Sequence, residues 1–142
     1  MAADTTDAAQ EAWTLLSRIA MARKGHLHET AAAFALSPPQ MWALHHLQPG
    51  TPTPMGALAE ALHCDNSNVT GIVDRLERRG LVERRPAEHD RRVTHLVLTE
   101  AGAALREAVG ARLGEPPPGF TELADDEQRL LVTLLRKVEA GP

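Results

Sequence analysis

Two clusters in the middle of the chain hold side chains suited to chemistry. Between Asn66 and Arg78 the sequence NSNVTGIVDRLER sets Val69, Ile72, Val73 and Leu76 at i, i+3, i+4 and i+7, so that all four share one face of a helix. The outward face then carries Ser67, Thr70, Gly71, Asp74, Arg75 and Arg78, short hydrogen-bonding groups first and longer cations later. The second cluster, Asp90, Arg91 and Arg92, lies in a polar turn between the branched runs LVERR and VTHLVLT. Alternation along a strand places Asp90 and Arg92 on the same side, so the carboxylate is expected to hold the Arg92 guanidinium in a forked pair and aim it, with Arg91 pointing away. Short polar groups on a helix suit base edges in the wide major groove, and arginine suits the narrow, electronegative minor groove. The two clusters together imply binding to duplex DNA.

The elements that must position these groups can be read around them. Asp65 and Asn66 are both good N-cap residues, and Gly80 supplies a stop after the cations Arg78 and Arg79, which predicts a helix over about 66–79. Upstream, Thr53 reads as a cap with Pro54 at the first helical position, and Met55, Leu58, Ala59 and Leu62 repeat the helical spacing over about 54–62. Only His63, Cys64 and Asp65 separate the two helices, the turn length of a helix-turn-helix. After Gly80 the branched runs flank PAEHDR, a hairpin with a polar tip. Taken alone, Arg84, Arg85, Arg91 and Arg92 could equally be charges that keep an edge hairpin soluble.

On the N-terminal side, about residues 7–35 are expected to form a long proline-free helix with Trp13, Leu16, Ile19 and Leu27 near one stripe, weakened near Gly25 and His26, where a kink or break is possible. Ser37, Pro38 and Pro39 start a further helix to about Leu47, and 49–54 reads as a loop. Beyond the hairpin, Thr99 caps an alanine-rich helix that three prolines, Pro116 to Pro118, end. A last helix over about 124–138 has Asp125, Asp126 and Glu127 at its start, Arg136 and Lys137 at its end, and Leu130, Leu131, Leu134, Leu135 and Val138 as its apolar positions. The terminal stripes exceed what a small three-helix core can cover, which predicts association. The fold expected is mainly α with a small β-hairpin wing. It is one domain over 1–142, with a winged helix-turn-helix lobe at about 38–99 flanked by dimerisation helices at about 7–35 and 100–139.

The composition, 43% hydrophobic and 24% charged over 142 residues, is that of a globular chain. No apolar run approaches a bilayer span and no signal peptide opens the chain, so a cytoplasmic location without a membrane partner is expected. The single cysteine excludes an internal disulfide framework and a thiolate-rich zinc site. The formal charge of −4 argues against a nucleic-acid partner until its distribution is considered. Residues 75–92 hold seven arginines against four carboxylates, a net +3 that leaves −7 for the rest. A basic patch on an acidic body favours one docking face. With no Gly-rich phosphate loop, nucleophile elbow or HExxH helix, neither an enzyme nor a cofactor is expected.

The residues LAEALHCDNSNVTGIVDRLERRGLVERRPAEHDRRVTHLVLTEAG, Leu58 to Gly102, resemble the MarR family of winged helix-turn-helix regulators. The DRLERRGLVERR run, the Asp-Arg-Arg wing tip and the LTEAG that follows occur together at the family's spacing, and the flanking helices match in length and order. The resemblance implies a homodimer that binds operator DNA and represses nearby genes, with Asn66, Ser67, Asn68, Thr70, Gly71 and Arg75 at the DNA-facing start of the recognition helix and Arg91 or Arg92, beside Asp90, in the minor groove. It also implies release by a small aromatic or anionic effector in a crevice between the dimer helices and the reading lobe. Trp13, His26, Met41, Trp42, His45 and His46 are candidates for such a crevice, with core and surface filling as the alternative. Cys64 reads as a buried structural thiol or, alternatively, a redox sensor assisted by the helix N-terminus. Neither of the pairs His45–His46 and His63–Cys64 makes a ligand pair by itself, since helical neighbours point about 100° apart, and no metal is assigned. Two alternatives stay open: a winged helix used for protein contact, and a regulator that responds to redox state or metal.

Overall fold

The computed structural model describes residues 2–141, with side chains from Asp7 onward except that of Asn66. Three helices open the chain, α1 (Ala2–Ala22), α2 (Lys24–Ala33) and α3 (Pro38–His46), and a two-residue strand β1 (Thr53–Pro54) leads into α4 (Met55–Ala61) and α5 (Asn66–Arg78). The hairpin strands β2 (Val82–Pro86) and β3 (Thr94–Leu98) follow, and α6 (Glu100–Leu113), α7 (Pro118–Thr121) and α8 (Asp125–Glu139) complete the chain. The fold is thus mainly helical with one small antiparallel sheet of order β1-β3-β2. No helix among the described residues is long and apolar enough to cross a membrane.

The core forms where the stripes of the reading lobe converge. Val69, Val73 and Leu76 of α5 are fully buried against Met41 and Leu44 of α3, Leu58 of α4 and Leu96 of β3, and Ile72 packs half-buried at the margin. The register Val82↔Leu98 and Arg84↔Leu96 alternates along the hairpin, sending Val82, Leu96 and Leu98 inward. Ser37 closes a capping box on α3, accepting from the Gln40 N–H while its own N–H donates to Gln40 Oε1, as its position before two prolines predicts.

Three expectations are corrected. Thr53 does not cap a helix: it pairs with Leu96 in β1, Pro54 stands opposite His95 and serves as N-cap residue, and α4 begins at Met55. A proline lacks the N–H that an inner strand must donate but is tolerated on an edge strand, and β1 is an edge. The N-terminal segment, expected as one long helix that a kink or break near Gly25 could divide, is two helices that meet at Arg23. The proline triplet, which ends α6 as expected, also starts the short helix α7.

Three helices end alike. In α5 the Gly80 N–H donates to Glu77 O (2.9 Å) and the Leu81 N–H to Leu76 O (3.0 Å), with Gly80 at φ +69°. The same pair of bonds closes α2 around Ala35 (φ 52°) and α4 around His63 (φ 51°). A side chain in this left-handed region is strained, so Ala35→Gly is expected to raise stability by about 0.5–1 kcal/mol, the left-handed penalty less the extra entropy of an unfolded glycine. Chemical denaturation checks it, and an unchanged or lower midpoint refutes it.

Candidate nucleic-acid interface

The helix that would read bases is fixed at its start by Asp65. Its carboxylate accepts the Asn68 N–H at 2.9 Å and the Ser67 hydroxyl at 2.8 Å. These two bonds, the backbone one first, hold the Asp65 carboxyl below the usual carboxylate range, so the cap persists through mild acid. Ser67, Asn68, Thr70, Gly71, Arg75 and Arg78 are exposed along α5. Asn66 opens the helix by its backbone, and its side chain lies outside the described residues.

Asp74, grouped by sequence with the outward reading residues, has another partner. Arg84 of β2 donates Nη2 to Asp74 Oδ1 at 2.6 Å and Nη1 to Glu77 Oε1 at 2.8 Å, and its backbone N–H donates to Glu77 Oε2 at 3.1 Å. Desolvation works against the charge on Arg84, but these bonds outweigh it and raise its pKa. Asp74 and Glu77 are three residues apart and share a helix face, and a cation in the strand after the glycine stop was the signal that could have revealed the triad. Arg79, also missed, donates to the carbonyls of Ala35 (2.7 Å) and Phe34 (3.1 Å), closing the C-terminus of α2. Arg85 pairs with Glu83 at 2.7 Å. Of the seven arginines, Arg75, Arg78, Arg91 and Arg92 are therefore the ones whose side chains have neither an ion pair nor a hydrogen bond among the described residues.

At the wing tip Asp90 does not fork onto the Arg92 guanidinium. Its carboxylate accepts the Arg92 backbone N–H at 3.0 Å, and its carbonyl accepts the Val93 N–H at 3.0 Å. Residues 90–93 form a turn outside both strands, so strand alternation does not govern their side chains, and an Asp closing on a nearby N–H is the local solution. Asp90 thus shapes the tip, and Arg91 and Arg92 are both exposed there.

The candidates for an effector crevice separate. Met41 is fully buried in the core. Trp42 and His46 line a crevice of about 680 Å³ together with Pro38, Pro39, Leu62, Cys64, Ser67, Asn68, Gly71, Ile72 and Arg75. Trp13 and His26 line a second cavity, of about 1200 Å³, between α1 and α8. Cys64 is half-buried against the core margin. His45 stands edge-on to Trp42 at 5.8 Å, and its carbonyl accepts from Arg106 Nε at 3.2 Å. Burial, then the charge of Arg106 and the neighbouring His46, lower the His45 pKa from 6.5. A depressed histidine favours the neutral ring in the fold, so its contribution to stability is complete above pH 6.5 and is lost as pH falls toward the folded pKa. Its ring signals in an NMR titration are expected to shift with a midpoint below 6.5, and a midpoint at or above that value would contradict the packing described.

Residues 36–94 match the MarR family. The chain is 45% identical over 95 residues to the transcriptional repressor MprA of Escherichia coli (strain K12), covering 66% of this chain and 51% of that protein. It is 36% identical over 90 residues to the transcriptional repressor NicR of Pseudomonas putida, covering 61% of this chain and 56% of that one. The chain therefore spans about half the length of these curated relatives. A MarR family protein from Bacillus stearothermophilus superposes with a TM-score of 0.78 at 29% identity over 95% of each chain. Wild-type MarR from E. coli, in its apo form, superposes at 0.68 with 26% identity, over 88% of this chain and 94% of that one.

Proposed function

The chain belongs to the MarR family, and from the arrangement of α5 and the wing we propose that it is a non-enzymatic transcriptional regulator that binds duplex DNA as a homodimer. One observation carries this reading. In an otherwise acidic molecule, the four arginines of residues 75–92 whose side chains have neither an ion pair nor a hydrogen bond among the described residues, Arg75, Arg78, Arg91 and Arg92, stand on the exposed side of α5 and at the wing tip, beside a helix start lined with Ser67, Asn68, Thr70 and Gly71. In this reading α5 enters the major groove with those residues, Asn66 and Arg75 at the base edges. Arg91 and Arg92 reach the minor groove from a tip that Asp90 shapes. Two copies related by a two-fold axis read a pseudopalindrome. The relatives named as repressors favour repression.

Salt-titrated affinities on a duplex selected from random sequence and on its scrambled form test the proposal. The binding constant should fall steeply with salt, with a log–log slope near −7 if all eight such arginines of a dimer meet phosphates at about −0.9 each. Preference for the selected duplex should persist at high salt. Equal, weak binding to both duplexes would favour the rival use of the basic patch, contact with an acidic protein.

For a small-molecule effector we propose the crevice beside Trp42. Its apolar walls, Pro38, Pro39, Leu62 and Ile72, and its cation, Arg75, suit a small aromatic acid. The crevice shares Ser67, Asn68, Gly71 and Arg75 with the proposed reading surface, so ligand and duplex compete, and each weakens the other by the same factor. Trp42 fluorescence in a Trp13→Phe background is expected to change saturably with such an acid and to be restored by DNA. A panel of aromatic acids without effect, on protein active toward DNA, would remove this effector site.

A further inference from the structure

We infer that Arg84 is a positioning residue: bridging Asp74 and Glu77, it sets the angle between the recognition helix and the wing, so that the tip arginines reach the duplex while Arg84 itself does not. The inference rests on the DNA-binding reading above. Every bond that Arg84 makes from β2 outside the sheet goes to α5: Asp74 Oδ1 at 2.6 Å, Glu77 Oε1 at 2.8 Å, the Thr70 carbonyl at 3.5 Å, and Glu77 Oε2 from its backbone N–H at 3.1 Å. It is half-buried, unlike the exposed Arg91 and Arg92.

The lock sits at the base of a lever. Arg84 pairs with Leu96, and the last registered pair of the hairpin is Pro86↔Thr94. Beyond that pair the tip is closed by its own bonds, Ala87 N–H to Val93 O and Val93 N–H to Asp90 O. A small rotation of β2 on α5 therefore moves Arg91 and Arg92 through a larger arc. The charge balance argues in the same direction. Asp74 and Glu77 put two carboxylates on a helix proposed to approach phosphates, where each costs affinity. With both carboxylates 42% exposed, such pairs add little to stability. Geometry is what the triad supplies: a planar guanidinium offers two edges in fixed directions, one to each carboxylate, which a lysine ammonium cannot do.

Arg84→Met and the double variant Asp74→Asn with Glu77→Gln test the inference by the sign of their effects. If the triad positions the wing, both proteins bind the selected duplex at least about tenfold more weakly, one lost groove contact being the lower bound for a tip that carries two arginines. Both also lose hydroxyl-radical protection of the flanking minor grooves, and adding Arg91→Ala and Arg92→Ala to either causes no further loss. If Arg84 meets a phosphate directly, Arg84→Met weakens binding while the double variant, relieved of two negative charges, tightens it, and the inference is overturned. In the DNA-free protein, ¹⁵N relaxation of residues 87–93 should show a more mobile tip in both variants. Unchanged mobility overturns the inference whether or not the wild type binds duplex, whereas a wild type without salt-dependent duplex binding fails only the functional reading. Loss of the fold in both variants would assign the triad to stability instead and equally overturn it.

Discussion

Gly102→Ala is expected to destabilise the chain by about 3 kcal/mol or more, the upper end of what overpacking costs, because what it strikes is backbone. A Cβ at residue 102 would overlap the Leu81 carbonyl oxygen, with the Leu81 carbonyl carbon 2.9 Å and Leu98 Cδ2 3.2 Å away. That carbonyl has no room to retreat. It accepts the Thr99 N–H at 3.1 Å, Thr99 Oγ1 donates to the neighbouring Gly80 carbonyl at 2.5 Å, and the Leu81 N–H closes the end of α5. The first turn of α6 is thus keyed onto the end of α5, and the LTEAG run is explained by a cap at Thr99 and a close approach at Gly102. A methyl group there must separate the two helices. Set against a typical total of about 5–15 kcal/mol, the loss should lower the thermal midpoint by about 10 °C or prevent folding. Gly71→Ala is the contrast. A Cβ at Gly71 meets nothing within 4 Å, so the better helix former should stabilise α5 by about 0.5–1 kcal/mol while weakening duplex binding, if the bare backbone there lets the helix approach base edges. A midpoint for Gly102→Ala within a degree of wild type would refute the keyed contact.

These two glycines show how far the sequence could be read. Periodicity located α5, α6 and α8 because an apolar face must be buried, and the caps Asp65, Thr99 and Gly80 fixed their ends through local hydrogen bonds that the sequence spells out. The exposed polar start of α5 followed from the same periodicity. What failed was what depends on a partner distant in the chain and, at the wing tip, on a turn whose local geometry differs from a strand's. Pro54 looked like a helix start because its pairing with His95 cannot be seen locally. Asp90 was given to the Arg92 side chain because strand alternation was carried into a turn. Asp74 was read as facing outward, although Arg84 ten residues later claims it. Ala35 and His63 occupy left-handed positions where glycine is the usual signal, so those helix ends were legible only from neighbouring breakers. The effector candidates scattered for a similar reason: Trp42, Trp13 and Met41 are alike in type, and only packing separates the crevice, the terminal cavity and the core.

The largest effect on assembly is expected from the terminal helices. Trp13 and Val138 are 64% and 73% exposed, and Leu15, Ile19, Leu130 and Leu134 are exposed with them, an apolar surface of the kind soluble monomers rarely leave uncovered. Trp13, Leu16 and Ile19 form one wall of the 1200 Å³ cavity, and Leu131, Leu134, Leu135 and Val138 the other. Covering such side chains is worth about 1.5–3 kcal/mol each, so half a dozen per protomer offset an association cost of about 4–15 kcal/mol with a margin. A second copy seated on these faces would supply the second α5 helix that a pseudopalindromic site requires about 34 Å away, one turn of duplex. Light scattering at micromolar concentration should therefore return twice the chain mass with no folded monomer. Leu131→Asp with Leu134→Asp should give a monomer that is less stable and has lost its high-affinity duplex binding, since one reading helix alone forfeits half the contacts. Deleting residues 121–142 should leave α1 without its cover and the protein insoluble or unfolded. A folded, soluble wild-type monomer that still prefers its selected duplex would refute both the homodimer and the pseudopalindromic site.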